Sequence, residues 1–138
     1  MSKVFLDTSY AIALAIEKDQ YHQQALTLAN AFEQQGQEVL TTWAVVIEIG
    51  NALASASYRK TGVAYINALR ADPQVEIVPS SSLTLEAAYA LYESRPDKEW
   101  GLTDCISFVV MQEHGVTDAL TADRHFEQAG FMALLRST

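Results

Sequence analysis

The stretch Lys3-Val4-Phe5-Leu6-Asp7-Thr8-Ser9 decides how this chain reads. Val4, Phe5 and Leu6 form an unbroken apolar run, too short for a helix and followed at once by a turn-capable polar triplet. A strand with no polar alternation is covered on both faces, which is the habit of a parallel sheet. Ala11, Leu14 and Ala15 then fall on one helical face, so the chain passes from strand to helix around Asp7.

The same exchange recurs along the sequence. A second helix is predicted from about Gln20 to Gln35, with Ala25, Leu28, Ala29 and Phe32 as its inward stripe and Gly36 as its stop. Val39 to Thr41 reads as a strand. Thr42 is placed to cap a helix running from Trp43 to about Ser57. A helix over roughly Gly62 to Arg70 ends at Asp72-Pro73, and the strand Val75 to Val78 is closed by Pro79. Ser80-Ser81-Ser82 opens the helix that carries Leu85, Ala88, Tyr89 and Tyr92. The charged stretch Ser94 to Gly101 is a loop. Thr103 to His114 is the most apolar helix, stopped by Gly115. Val116 to Thr121 is a strand, Arg124 to Ala129 a short helix and Phe131 to Leu134 a last strand. Short apolar strands alternating with helices predict an α/β fold: a three-layer sandwich around a short-stranded parallel central sheet.

Its 138 residues, 49% of them hydrophobic, suit a single domain over 1–138 with one sizeable core. The apolar runs Tyr10 to Ile16 and Cys105 to Met111 fall far short of the roughly 20 residues of a spanning helix. Asp7 interrupts the N-terminal apolar stretch, so no signal peptide is expected. Cys105 is the only cysteine, which agrees with a reducing cytosol, and the expected location is cytoplasmic. A formal net charge of -8 argues against a broad basic surface for nucleic acid, although a bound cation or a basic partner can supply local positive charge.

Four acids stand out. Asp7 ends the first strand, and Asp123 closely follows the apolar Ala119-Leu120. Glu48 and Asp104 lie in strongly apolar helical segments. Carboxylates in such places are costly unless something positive meets them, and only Asp123, beside Arg124, has a basic sequence neighbour. Asp7 and Asp123 could each be ordinary helix N-caps. Asp104 could serve its own helix N-terminus, although Thr103 stands ready for that job. Glu48 shares a polar line with Asn51 and Ser55 and caps nothing; no Lys, Arg or Gln lies between Trp43 and Tyr58 to make that line an ordinary solvent face. If the fold brings the four together, a divalent cation is the economical partner. Mg²⁺ and Mn²⁺ prefer oxygen ligands, and four carboxylates suffice for two ions about 3.5–4 Å apart.

The order Phe5-Leu6-Asp7-Thr8-Ser9, Val46-Ile47-Glu48-Ile49, Leu102-Thr103-Asp104-Cys105-Ile106-Ser107 and Thr121-Ala122-Asp123-Arg124-His125-Phe126 resembles the PIN domain, the fold of the VapC-type toxin ribonucleases. The resemblance covers essentially the whole chain. It implies a Mg²⁺- or Mn²⁺-dependent ribonuclease in which Asp7, Glu48, Asp104 and Asp123 carry the metal and Ser9 and Thr121 order ligands or waters. It also implies an RNA substrate, a homodimer and a small antitoxin partner.

Other chemistry has little support. His22, His114 and His125 are far apart and lack zinc-ligand spacing with a cysteine; His125 alone lies near the acids. No P-loop, dinucleotide fingerprint or serine-nucleophile elbow occurs. A phosphotransferase with a nucleophilic Asp7 would want a second acid where Ser9 stands. Helix packing is expected for Trp43, and Trp100, in the charged loop, is the expected contact for substrate or partner. Two classes remain: a metal-dependent endoribonuclease, and a non-catalytic binding or regulatory module whose acids merely cap helices.

Overall fold

The computed structural model describes residues 2–136. Its elements in chain order are β1 (Val4–Leu6), α1 (Thr8–Ala15), α2 (His22–Gln35), β2 (Val39–Thr42), α3 (Trp43–Ala52), α4 (Arg59–Ala71), β3 (Val75–Val78), α5 (Ser82–Ser94), α6 (Leu102–Glu113), β4 (Asp118–Leu120), α7 (Arg124–Gln128) and β5 (Met132–Ala133). The five strands form one sheet in the order β3-β2-β1-β4-β5, and every pair is parallel. The predicted α/β sandwich is therefore the observed one.

β1 lies at the centre, with Phe5 facing Leu40 of β2 and Ala119 of β4. From β1 the chain winds outward through β2 to β3, then crosses back to β4 and β5. The direction reverses between β1 and β4. Because such crossovers share one handedness, helices of the two halves cover opposite faces. In open parallel sheets this reversal leaves a crevice beyond the strands' carboxyl ends, the usual place for a ligand.

Phe5, Leu40, Val45, Ile49, Cys105, Met111, Ala119 and Phe126 are all fully buried. Phe126 is held against Phe108 at 5.0 Å and Phe5 at 6.3 Å between ring centroids. It pins the short α7 to both the central strand and the apolar α6. Thr42 caps α3 as predicted, accepting from the Val45 N–H, and Ser81 caps α5 through Thr84.

Three expectations change. First, α3 stops at Ala52 rather than near Ser57, which removes Ser55 from the polar line of Glu48 and Asn51. The Ser55 carbonyl accepts from the Tyr58 and Arg59 N–H groups, and the Arg59 guanidinium donates twice to the Ala54 carbonyl. That turn ends one helix and begins α4 three residues before Gly62. Second, Trp100 is buried rather than presented to a ligand. It packs edge-on against Phe108 at 5.1 Å, donates its ring N–H to Gln128 and carries Arg95 on its outer face. Third, Trp43 is 37% exposed, with Arg70 5.8 Å from its ring centre. Among the described residues, no helix is long and apolar enough to cross a membrane.

Candidate active site

Asp7 occupies the N-cap position of α1 but makes no side-chain capping bond. The N-cap expectation fails for its carboxylate because that carboxylate turns into the crevice at the sheet reversal. Thr121 Oγ1, at the end of β4, donates to Asp7 Oδ2 at 2.7 Å. Ser9 Oγ lies 3.1 Å from the same oxygen and 3.0 Å from Thr121 Oγ1. These hydroxyls are fixed in turn: the Ala122 N–H donates to Ser9 and the Asp123 N–H to Thr121. The polar triplet after β1 and the polar residues after β4 thus knit two parallel strand ends together around one buried carboxylate.

Burial pushes the Asp7 pKa up to about 6; the Thr121, Thr8 and Ser9 bonds oppose that rise and the charge of Asp104 adds to it. Asp104 is half-buried, and its pKa is raised first by burial and further by Asp123, against the opposing pull of the Gly101 N–H and His125. Asp7, Asp104 and Asp123 therefore feel one another in sequence, a row of carboxylates that disfavour one another's charge.

Asp104 and Asp123 each have a second job. Asp104 is the third residue of α6 and accepts from the Gly101 N–H at 3.1 Å. The expectation that Thr103 would spare it this task does not hold, because the helix begins a residue earlier, after Gly101. Asp123 is the N-cap of α7 and accepts from the His125 N–H at 2.9 Å, as its ordinary reading allowed. His125 bridges the two acids: its Nδ1 lies 3.2 Å from Asp104 Oδ2 and 3.3 Å from Asp123 Oδ1. Sequence reading placed His125 near the site without giving it a role. Its position two residues after Asp123, at the first turn of a short helix, was the available signal.

Glu48 stands apart. It is exposed on α3, and its carboxylate accepts a short hydrogen bond from Thr8 Oγ1, the residue after Asp7. Thr8 was not singled out from the sequence. Arg124 is exposed, and the ion pairs of Lys3, Arg95 and Arg136 run to Glu76, Asp97 and Glu127, none of them to an acid of the row. His125 is thus the only basic side chain within ion-pair distance of these acids among the described residues.

Part of the donor set fits a divalent cation. One ligand atom each from Asp104, Asp123 and His125 lies within 4.8 Å of the others, all three half-buried, and this group does not include Asp7 or Glu48. Half-buried carboxylate oxygens with no Lys or Arg ion pair among the described residues are surroundings that hard cations such as Mg²⁺ and Mn²⁺ take.

The chain is 26% identical to VapC20 of Mycobacterium tuberculosis, described as a sarcin–ricin loop-cleaving toxin, with a TM-score of 0.84 over 94% of this chain and 97% of that one. VapBC2 from Rickettsia felis, solved with a DNA fragment from its promoter, superposes with a TM-score of 0.68 at 11% identity, covering 96% of each chain. FitAcB from Neisseria gonorrhoeae gives 0.66 at 19% identity, over 94% of this chain and 95% of that one; these two likenesses speak to the fold alone. No curated protein matches the chain significantly. The sequence profile of the PIN domain matches residues 4–132. With that match across nearly the whole sequence and the sheet order described above, the chain belongs to the PIN domain family.

Proposed function

We propose that this protein is a metal-dependent endoribonuclease, the toxin of a toxin–antitoxin pair, working as a cytoplasmic homodimer. The observation that carries the reading is Asp7: a carboxylate 5% exposed, at the sheet reversal, with no basic partner among the described residues and Asp104 close enough to raise its pKa. A helix cap does not require that placement; a cation ligand does. The likeness to VapC20 supports RNA as the substrate and an antitoxin as the partner.

In this reading Asp7, Asp104 and Asp123 hold Mg²⁺ or Mn²⁺, and Glu48 completes the set from the far wall. When bound, the ion polarises the phosphodiester and lowers the pKa of the attacking water. Thr121 and Ser9 keep the Asp7 oxygens oriented, so the carboxylate needs little rearrangement to accept a cation. His125 keeps Asp104 and Asp123 side by side. The net charge of -8 makes wide electrostatic capture of RNA weak, so affinity must come from the ion and from local contacts.

The competing reading, a non-catalytic binding or regulatory module, draws on the capping bonds of Asp104 and Asp123. It leaves Asp7 and Glu48 only structural tasks, bonding to Thr121 and Ser9 and to Thr8, which do not call for a buried charge at the sheet reversal. Incubating the full chain with single-stranded and hairpin RNAs, and with single-stranded DNA, under Mg²⁺, Mn²⁺ or chelator separates the two. Internal cleavage of RNA is expected with metal and none with chelator. A folded protein that cleaves no RNA with either ion would establish the module.

A further inference from the structure

Beside the acid row the surface sinks into a second recess of about 500 Å³, bordered by Ser9 and Asp123 on the side of the acids. Ile12 of α1 lines it with Asp19, Gln20 and Tyr21 of the connection between α1 and α2, and Arg136, after β5, completes the lining. The size falls within the roughly 300–1,000 Å³ of small-molecule pockets.

The recess is built in advance. The Asp19 N–H donates to the Ile16 carbonyl, the Asp19 carbonyl accepts from the His22 N–H, and Asp19 Oδ1 accepts from the Tyr21 N–H at 2.8 Å. Tyr21 is half-buried against the core, so its ring is held by packing. Arg136 spends its Nε on Glu127 at 2.9 Å, which orients the guanidinium; among the described residues its Nη donors have no further partner.

The charges here are mixed. Asp19 and Asp123 line the recess together with Arg136, so a phosphate gains little. A planar neutral ring offering both donors and acceptors suits the set better. Ile12 and Tyr21 supply apolar wall, Arg136 supplies donors and the second Asp19 oxygen supplies an acceptor. Guanine carries that pattern: O6 and N7 accept from an arginine fork, while N1–H and N2–H donate to a carboxylate.

The geometry points to this recess as a base-binding subsite that takes a guanine flanking the scissile phosphate, a reading that rests on the nuclease assignment for the word scissile but not for the binding itself. The subsite sets sequence preference, and the acids next to it do the cutting.

Two measurements on the full chain test it. Amide chemical shifts are followed while guanosine, adenosine, cytidine and uridine are added without metal. Guanosine is expected to shift Tyr21 and Ala122 at concentrations at least tenfold below the other three, and Arg136→Gln is expected to remove that advantage. Asp19→Asn, which retains an oxygen for the Tyr21 N–H, is expected to remove it as well. In parallel, cleavage is compared across RNAs that differ in one base beside the cut. Wild type is expected to favour guanine at least tenfold in kcat/KM and Arg136→Gln to lose that preference, while its melting response to Mn²⁺ stays within twofold in midpoint concentration. No guanosine preference in binding, or a preference that survives in both variants, overturns the subsite. Guanosine binding without cleavage of any RNA upholds the subsite as a nucleobase site and overturns the nuclease assignment instead.

Discussion

The two walls of the acid crevice are built differently. On the strand side Asp7, Asp104 and Asp123 are buried or half-buried, each anchored by hydrogen bonds; burial first, and then the neighbouring charge, raises the pKa of Asp7 (beside Asp104) and of Asp104 (beside Asp123). On the α3 side Glu48 is exposed and rests on a single hydroxyl, that of Thr8. The first wall stores charge repulsion in a fixed geometry; the second is a free carboxylate on a helix surface. A cation should therefore gain most of its affinity from relieving the strand side, and the helix side should trim the result. Substitutions on the strand side are expected to act on the fold and the chemistry together, and those on the helix side on metal affinity alone.

The largest expected effect is loss of cleavage when a strand-side acid is removed. Asp104→Ala should lower kcat/KM at least a thousandfold, about 4 kcal/mol in the barrier, since each tenfold is about 1.4 kcal/mol. Because Asp104 also accepts from the Gly101 N–H, the alanine variant should lose about 1 kcal/mol of stability. Asp104→Asn keeps an acceptor there and should cleave no better while melting close to wild type. Glu93, exposed on α5, is the control: Glu93→Ala should cleave normally. Full activity in Asp104→Asn would remove the strand side from the chemistry.

Next in size is the pH dependence of the metal-free protein. With the Asp7 pKa raised by burial to about 6, the folded state holds a proton that the unfolded state has released between about pH 4 and pH 6. Stability from this group is complete below the unfolded value and is lost as pH rises through the folded one. The fall should approach 3 kcal/mol, at about 1.4 kcal/mol per pH unit. Denaturant titrations in chelator should show it, and Asp7→Asn should flatten it, raising neutral-pH stability while blunting the melting response to Mn²⁺. A wild-type protein more stable at pH 7 than at pH 5, with chelator present, would show that Asp7 is not the desolvated carboxylate described.

Much of this was readable in the chain. The run Val4-Phe5-Leu6 followed by Asp7 located the central strand and the edge at which its carboxylate emerges, because a buried strand admits no other use of those three residues. Ser9 and Thr121 were placed beside the acids by resemblance, and both bond to Asp7. The failures share a cause. Trp100 sits among charges in sequence and reads as exposed, but its burial depends on Phe108 and on Gln128, a residue 28 positions away. The bridge from His125 to Asp104 likewise spans 21 positions. No Gly or Pro follows Ala52 to announce the end of α3; the turn at Ser55 and the grip of Arg59 on Ala54 mark it. Local pattern reports which face of an element is apolar; it does not report which distant side chain covers a given spot.

The smallest expected effects belong to the helix side, and they decide whether the contrast between the walls is real. Glu48 is exposed, so Glu48→Gln should leave stability within about 0.5 kcal/mol of wild type. It removes one carboxylate charge from the rim, and the Mn²⁺ concentration at half the melting shift should rise about tenfold, equivalent to about 1.4 kcal/mol. Thr8→Ala only frees Glu48 from its hydroxyl partner and should raise that midpoint less, about twofold to threefold. If Glu48→Gln instead abolishes both the metal response and cleavage as fully as Asp104→Asn does, the walls are equal partners despite their different burial. If it changes neither, Glu48 lies outside the metal site and its bond to Thr8 serves only to hold α3 against the start of α1.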